Sequence, residues 1–252
     1  MVSETPRWSA DVRPAEWIAP RLSRELGTVA SVVPGGFPAY ARVLHPADED
    51  VRWEQVAADT GRLVHPLVQW HRLVGSDDPV NADGADWPGG APRTGELEPV
   101  SLAALLAVLR RHTSTPRACW YCLWEGWGWL RGSPSVAVLG SAEPVPPAFP
   151  AEVLDGPRVR HPLGRDHLLF SGPLESVLEL GHHTRPDWFI PQSPQLLWPD
   201  DRAWCVGTEI DFDSTLVAGT AELVDDLLTA DGLEVWPVRP GDSLRADGDL
   251  LN

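Results

Sequence analysis

The sequence predicts an α+β protein, with a mixed, largely antiparallel sheet and several short helices packed on it. Helical and extended patterns follow one another without a regular β-α-β alternation. The 26 prolines and 22 glycines are spread along the whole chain, which calls for short elements joined by many turns. The best apolar stripes are helical and the best alternation is extended, and they lie in separate stretches. With 252 residues, 43% of them hydrophobic, the chain is long enough for a sizeable core and reads as one domain over 1–252. The irregular stretch Ser76–Leu97 is read as a loop within it, the alternative being a joint between two closely packed halves.

From the N-terminus, a short helical piece is expected around Ala15–Leu26, interrupted by Pro20, followed by an extended Thr28–Val33. Pro34-Gly35-Gly36 signals a turn, and Ala39–Leu44 reads as a strand. Trp53, Val56 and Ala57 at helical spacing predict a helix over Arg52–Ala58, capped by Asp50 and ended by Gly61. Pro66 opens a second short helix through Leu73. Ser101–Arg111 is the best helix, with Leu102, Leu105, Leu106 and Leu109 in one stripe and Arg110-Arg111-His112 suiting its negative end.

Ala118–Glu125 reads as a buried aromatic strand, Gly126-Trp127-Gly128 as a turn or bulge, and Ser135–Leu139 as a further strand. Beyond the proline-rich Glu143–Pro150, strands are expected at Arg158–His161 and His167–Ser171, and a helix at Pro173–Leu180 closed by Gly181. Arg202–Phe212 alternates, placing Trp204, Val206, Thr208, Ile210 and Phe212 on one face and Cys205, Gly207, Glu209 and Asp211 on the other. Ala221–Leu228 is an amphipathic helix with Thr220 at its N-cap and Gly232 past its end, and Leu233–Val238 is a closing strand.

Charge limits the choice of partners. Twenty basic residues, all arginine, against 36 acidic ones give a net charge of −16. Such a field opposes nucleic-acid binding by a basic face and favours a basic protein partner or simple solubility. The longest apolar run, Leu102–Leu109, falls far short of the roughly 20 residues that span a bilayer, so no membrane is expected. The first residues show no basic segment followed by an apolar one, and three cysteines make no disulfide framework. A cytoplasmic location is therefore expected.

Several groups are candidates for chemistry. Cys119 and Cys122 have a redox-like spacing, but on a strand they point to opposite faces about 10 Å apart, so buried structural thiols are expected. Glu209, Asp211 and Asp213 alternate, which on a strand puts three carboxylates on one side, as a divalent-cation site or an acid–base pair uses them. His182-His183 follow an expected helix end, where the macrodipole favours them. In Trp124-Glu125-Gly126-Trp127-Gly128-Trp129, glycines alternate with indoles, which lets a backbone approach closely between ring walls. Glu125 in that frame is the candidate for a desolvated carboxyl. Trp87, within the irregular loop, joins these as a candidate binding residue.

Cys119–Trp129 and Gln195–Asp211, together with the composition, resemble uncharacterised hypothetical proteins common in GC-rich actinobacteria. The resemblance implies a stand-alone cytoplasmic domain and carries over no catalytic residue.

Three functional readings follow, the last of them a structural role in which exposed tryptophans form a homodimer interface. The first is an acidic binding protein, immunity- or antitoxin-like, that neutralises a basic partner, on the grounds of charge, tryptophan anchors and no recognisable catalytic motif. The alternative is a metal- or carboxylate-dependent enzyme or small-molecule binder with a Trp-lined pocket. Either way, the functional surface is expected where Trp124–Trp129 and Glu209–Asp213 meet the Ser76–Leu97 loop.

Overall fold

The computed structural model describes residues 5–48, 50–80, 82, 86–132, 146–185 and 188–252. Its centre is an eight-stranded sheet in the order β1-β4-β3-β7-β8-β9-β2-β10. The strands are β1 (Arg7–Trp8), β2 (Ala39–Leu44), β3 (Cys119–Trp124), β4 (His167–Gly172), β7 (Leu196–Pro199), β8 (Cys205–Thr208), β9 (Ser214–Gly219) and β10 (Glu234–Val238). Every pairing between them is antiparallel. A separate ribbon pairs β5 (Gly181–Arg185) with β6 (Trp188–Pro191). The expected α+β class is therefore the observed one, and strands from both ends of the chain share one sheet.

Both faces of the sheet are covered, but by different kinds of structure. On one face lie α3 (Pro99–Leu109) and α5 (Ala221–Leu228). Leu102, Leu105, Leu106 and Leu109 of α3 and Leu223, Val224 and Leu227 of α5 pack on Val43, Tyr121, Phe170, Leu197, Val206 and Val217 of the strands. Trp204 ties the layers together, its indole N–H donating to the Leu109 carbonyl at 3.1 Å. The opposite face is covered by 3-10 turns at Arg13–Ala15, Ala19–Arg21 and Val29–Ser31 rather than by helices. Ile18 and Leu22 cover Cys122, Leu169, Leu196 and Cys205, and Val32 and Val33 cover Leu216 and Ala218. The helix expected around Ala15–Leu26 and the extended Thr28–Val33 are both corrected by these turns. Pro14 and Pro20 break the amide ladder too often for a continuous helix.

Other elements differ in extent or in what caps them. Helix α1 (Trp53–Thr60) ends at Gly61, whose φ of 71° is the left-handed conformation expected of it. Its start is not capped by Asp50; the Glu234 carboxylate on β10 accepts from the amides of Trp53 at 2.7 Å and Glu54 at 3.0 Å. Helix α2 is a single turn, Trp70–Leu73, not the longer piece from Pro66. A one-turn helix α4 covers Ala151–Leu154. Leu174–Glu179 winds as a 3-10 helix, and Arg158–His161 contributes only one bridge, Val159 to His167. His182 and His183 lie in β5, not at a helix end. The strand expected at Ser135–Leu139 lies outside the described residues.

The tryptophans are largely packing residues. Trp53, Trp198 and Trp204 are fully buried, and Trp188, at 56% exposure, is the one exposed indole. Trp53 meets Trp70 edge to face at 5.3 Å, and its N–H donates to the His45 carbonyl at 2.7 Å. No helix among the described residues is long and apolar enough to cross a membrane.

Candidate functional site

The chain leaves β8 at Thr208 and re-enters the sheet at Ser214, so Glu209–Asp213 is a hairpin loop and not the end of a strand. The three carboxylates do not share one side. Glu209 and Asp211 turn towards Arg165, at 3.0 Å and 2.6 Å, and the Arg165 guanidinium lies 5.9 Å from the centre of the Trp124 ring. Asp213 turns away and pairs with the buried Arg42 at 3.2 Å. The alternation holds as far as Glu209 and Asp211 and is lost at Asp213, because the loop turns there to begin β9.

Around Arg165 a cavity of about 180 Å³ opens on the face covered by the 3-10 turns. Leu26, Val32, Leu163, Leu196, Ile210 and Phe212 supply apolar lining; the polar lining comes from His161, Arg165, His167, Glu209 and Asp211 together with Ser31, Gln195 and Thr208. His167 opens β4 on the same face as Leu169, which puts it beneath the segment 161–165 that folds over it. Its side chain is 4% exposed, and its Nδ1 has no hydrogen-bond partner. Burial, with help from His161 and Arg165, pushes its pKa down to about 3, so the ring is neutral. His161 stands edge-on to it, ring centres 5.8 Å apart, and its own pKa is lowered by burial. Its Nδ1 accepts from the Leu163 amide at 3.3 Å, which puts the proton of the neutral ring on Nε2. Burial raises the Glu209 carboxyl, while the Asp211 amide and Arg165 oppose that shift.

The segments expected to meet do meet, through two side chains that the sequence reading passed over. Gln195 accepts at Oε1 from the Trp124 amide at 2.8 Å and from the Trp127 indole at 3.1 Å. Its amide nitrogen donates to the Gly95 carbonyl at 3.3 Å, in the irregular 76–97 stretch. Gly95 donates to the Phe212 carbonyl at 2.9 Å. A side chain at Gly95 would place its Cβ 2.6 Å from the Ile210 carbonyl, and the φ of +75° there also favours glycine. Arg165 supplies the second connection, from Trp124 to the hairpin loop.

The remaining candidates are dispersed. Glu125 is 43% exposed and pairs with Arg158 at 2.8 Å; it is not the desolvated carboxyl expected of it. Trp124 and Trp127 meet edge to face at 5.6 Å, and Trp129 stacks on His182 at 4.7 Å. Trp87 packs beside Trp53 and Trp70. None of these indoles lines this cavity, whose one phenyl ring is Phe212. The irregular stretch itself borders a second cavity of about 280 Å³, with Pro79, Pro92 and Thr94 facing Arg42, His71 and Asp213.

Cys119, Cys122 and Cys205 are free and buried. Cys119 faces the helices and Cys122 the opposite layer, as a strand requires. Burial pushes the Cys119 thiol up to about 12 and raises the other two, which makes them inert packing groups. No three His, Cys, Asp or Glu side chains among the described residues converge as a metal centre requires. His161, Arg165, His167 and Gln195 had one readable signal between them: a polar residue opening an otherwise apolar strand, as His167 does before Leu168-Leu169-Phe170.

No family model matches the chain, and no curated protein or solved structure matches it either.

Proposed function

We propose that the protein is a binding protein that takes a small molecule in the cavity between the Glu209–Asp213 loop and the 161–167 segment. The observation that carries this reading is a cavity of about 180 Å³ in which the apolar Leu26, Val32, Leu163, Leu196, Ile210 and Phe212 are joined by polar residues from several segments, among them Ser31, His161, Arg165, Gln195, Thr208 and Glu209. An apolar pocket with a few convergent polar groups is the usual form of a small-molecule site. The three buried thiols suit a reducing compartment, and we place the protein in the cytoplasm on that ground. Soaking the protein with a library of small ring compounds, followed by NMR, tests the reading. Binders should perturb the His161, Leu163 and His167 signals, and Leu163→Trp should abolish the effect by filling the cavity. A library that perturbs no residue of the cavity refutes it.

The net charge of −16 favours a second reading, in which a basic protein docks on the acidic surface. Steering of that kind weakens steeply with salt. Capture of a basic partner at low ionic strength and its release at 0.5 M salt would support it; no salt-sensitive partner would refute it.

A further inference from the structure

One side of the cavity is a short loop that a single side chain ties to the other side. We propose that residues 160–166 form a flap, that Arg165 latches it to the Glu209–Asp213 loop, and that ligands pass when the latch parts. This gate rests on the cavity being a ligand site.

The flap has its own base and its own frame. Val159 and His167 exchange both backbone hydrogen bonds, at 2.9 and 3.0 Å, and close the loop beneath it. Within the loop, the Asp166 carboxylate accepts from the His161 amide at 3.2 Å and pairs with Arg160. The His161 carbonyl accepts from the Gly164 amide at 2.9 Å, and the φ of +78° at Gly164 suits glycine. These bonds stay inside the segment, so the loop keeps its shape when its tip moves. The Asp166 carbonyl accepts from the Glu125 amide at 3.0 Å, which anchors the far end of the flap just past β3.

The tip is held differently. Among the described residues, Arg165 makes all the hydrogen bonds and ion pairs that 161–165 send outside the flap. Its Nε meets Glu209 at 3.0 Å and its Nη2 meets Asp211 at 2.6 Å. Water reaches this latch, because the Arg165 side chain is 34% exposed and that of Asp211 is 69% exposed. An ion pair so exposed shifts an equilibrium by roughly fivefold or less, and salt screens it. The other contacts of the tip are the His161 ring edge-on to His167 and the Arg165 guanidinium over Trp124. A segment with few buried contacts and water-exposed bonds opens locally while the sheet beneath stays folded. His161, Leu163 and Arg165 line one side of the cavity, and Glu209, Ile210 and Asp211 line the other. Parting the latch therefore widens the cavity itself.

The test places a thiol on the flap. Cys119, Cys122 and Cys205 are buried, so the cysteine of a Leu163→Cys variant is the one open to modification in the folded chain. N-ethylmaleimide, which carries no charge, reads the opening as a labelling rate. Arg165→Gln in that background should quicken labelling roughly five- to twentyfold, and Glu209→Gln or about 0.5 M salt roughly two- to fivefold. Loss of a neighbouring cation by itself raises a thiol pKa and slows labelling, so acceleration reports motion. Leu63→Cys, at an exposed site beside Asn252, should show none of these effects. Glu209→Gln serves if the Arg165 variant does not fold.

A Leu163→Cys rate that ignores both substitutions and salt overturns the proposal. Acceleration that comes with labelling of Cys122 or Cys205, located by mass spectrometry, reports unfolding in place of a flap and overturns it too. The ring-compound library separates the gate from the site. Binders whose dissociation is no faster in Arg165→Gln overturn the gate and leave the cavity reading standing. A library that touches no cavity residue removes the cavity reading and the gate with it.

Discussion

Replacing Arg42 by methionine should be among the most damaging single changes to this fold. The Arg42 side chain is 1% exposed, and its guanidinium donates to Ser214 Oγ at 2.9 Å and to the carbonyls of Val68 at 2.7 Å and Pro66 at 3.2 Å. It also pairs with Asp213 at 3.2 Å, and the Asp213 side chain retains 19% exposure. Burial lowers the Arg42 pKa and raises that of Asp213, against their mutual attraction. Such a pair adds little net stability when intact, yet removing one partner strands the other. The stranded charge costs about 3–5 kcal/mol in a fully buried site, and we take about 3 because Asp213 keeps some water. The orphaned Val68 carbonyl adds about 1 kcal/mol, for a total near 4. At roughly 2–4 °C per kcal/mol for a chain of this size, the melting temperature should fall by about 8–16 °C. Urea denaturation followed by circular dichroism measures the loss. The double variant Arg42→Met/Asp213→Leu should recover half of it or more, since no charge is then left unpaired. A single variant within about 1 kcal/mol of the parent, or a double variant no better than the single, would refute the reasoning.

Three further outcomes are expected. His45 and His167 have folded-state pKa values lowered to about 4 and about 3, from 6.5, by burial. The unfolded chain therefore binds two protons that the native state refuses, and stability should fall as pH drops below about 6.5. The slope should reach about 1.4 kcal/mol per histidine per pH unit towards pH 5; a flat profile of denaturation midpoints across pH 7.5–5 would exclude this. Gln195→Leu leaves the Trp124 amide and the Trp127 indole without their shared acceptor, at 2.8 and 3.1 Å, and should cost about 2 kcal/mol with a shift in tryptophan emission. Unchanged emission and stability would show that Gln195 does not join the two segments. Thr220→Ala should cost about 1 kcal/mol by removing the cap that accepts from the Leu223 amide at 3.1 Å, while Thr220→Ser should cost less; equal losses in chemical denaturation would contradict the capping role.

Local patterns were legible wherever a short stretch decides its own structure. The Leu102–Leu109 stripe, the Thr220-capped helix over Ala221–Leu228, the strand at Ala39–Leu44 and the Gly61 stop all appear within a residue or two of their expected places. In each of them periodicity, a cap or a left-handed glycine acts within a few residues. The opposite faces of Cys119 and Cys122 follow from strand geometry in the same way.

Other features depended on distant residues. The cap of α1 comes from Glu234, some 180 positions away, in place of the nearby Asp50. Tryptophans in series suggested a binding wall, but their indoles found partners in other segments: Trp129 with His182, Trp87 with the Trp53 cluster, Trp124 with Arg165. Glu209, Asp211 and Asp213 read as one cluster, but the hairpin loop separates them between Arg165 and Arg42, which lie 123 positions apart in the chain. Periodicity determined which residues share a face of an element, and composition determined that the sheet would be joined by short turns. Only the tertiary structure decided which charge meets which partner, because ion pairs and cavities form between segments that the antiparallel sheet brings together from opposite parts of the chain.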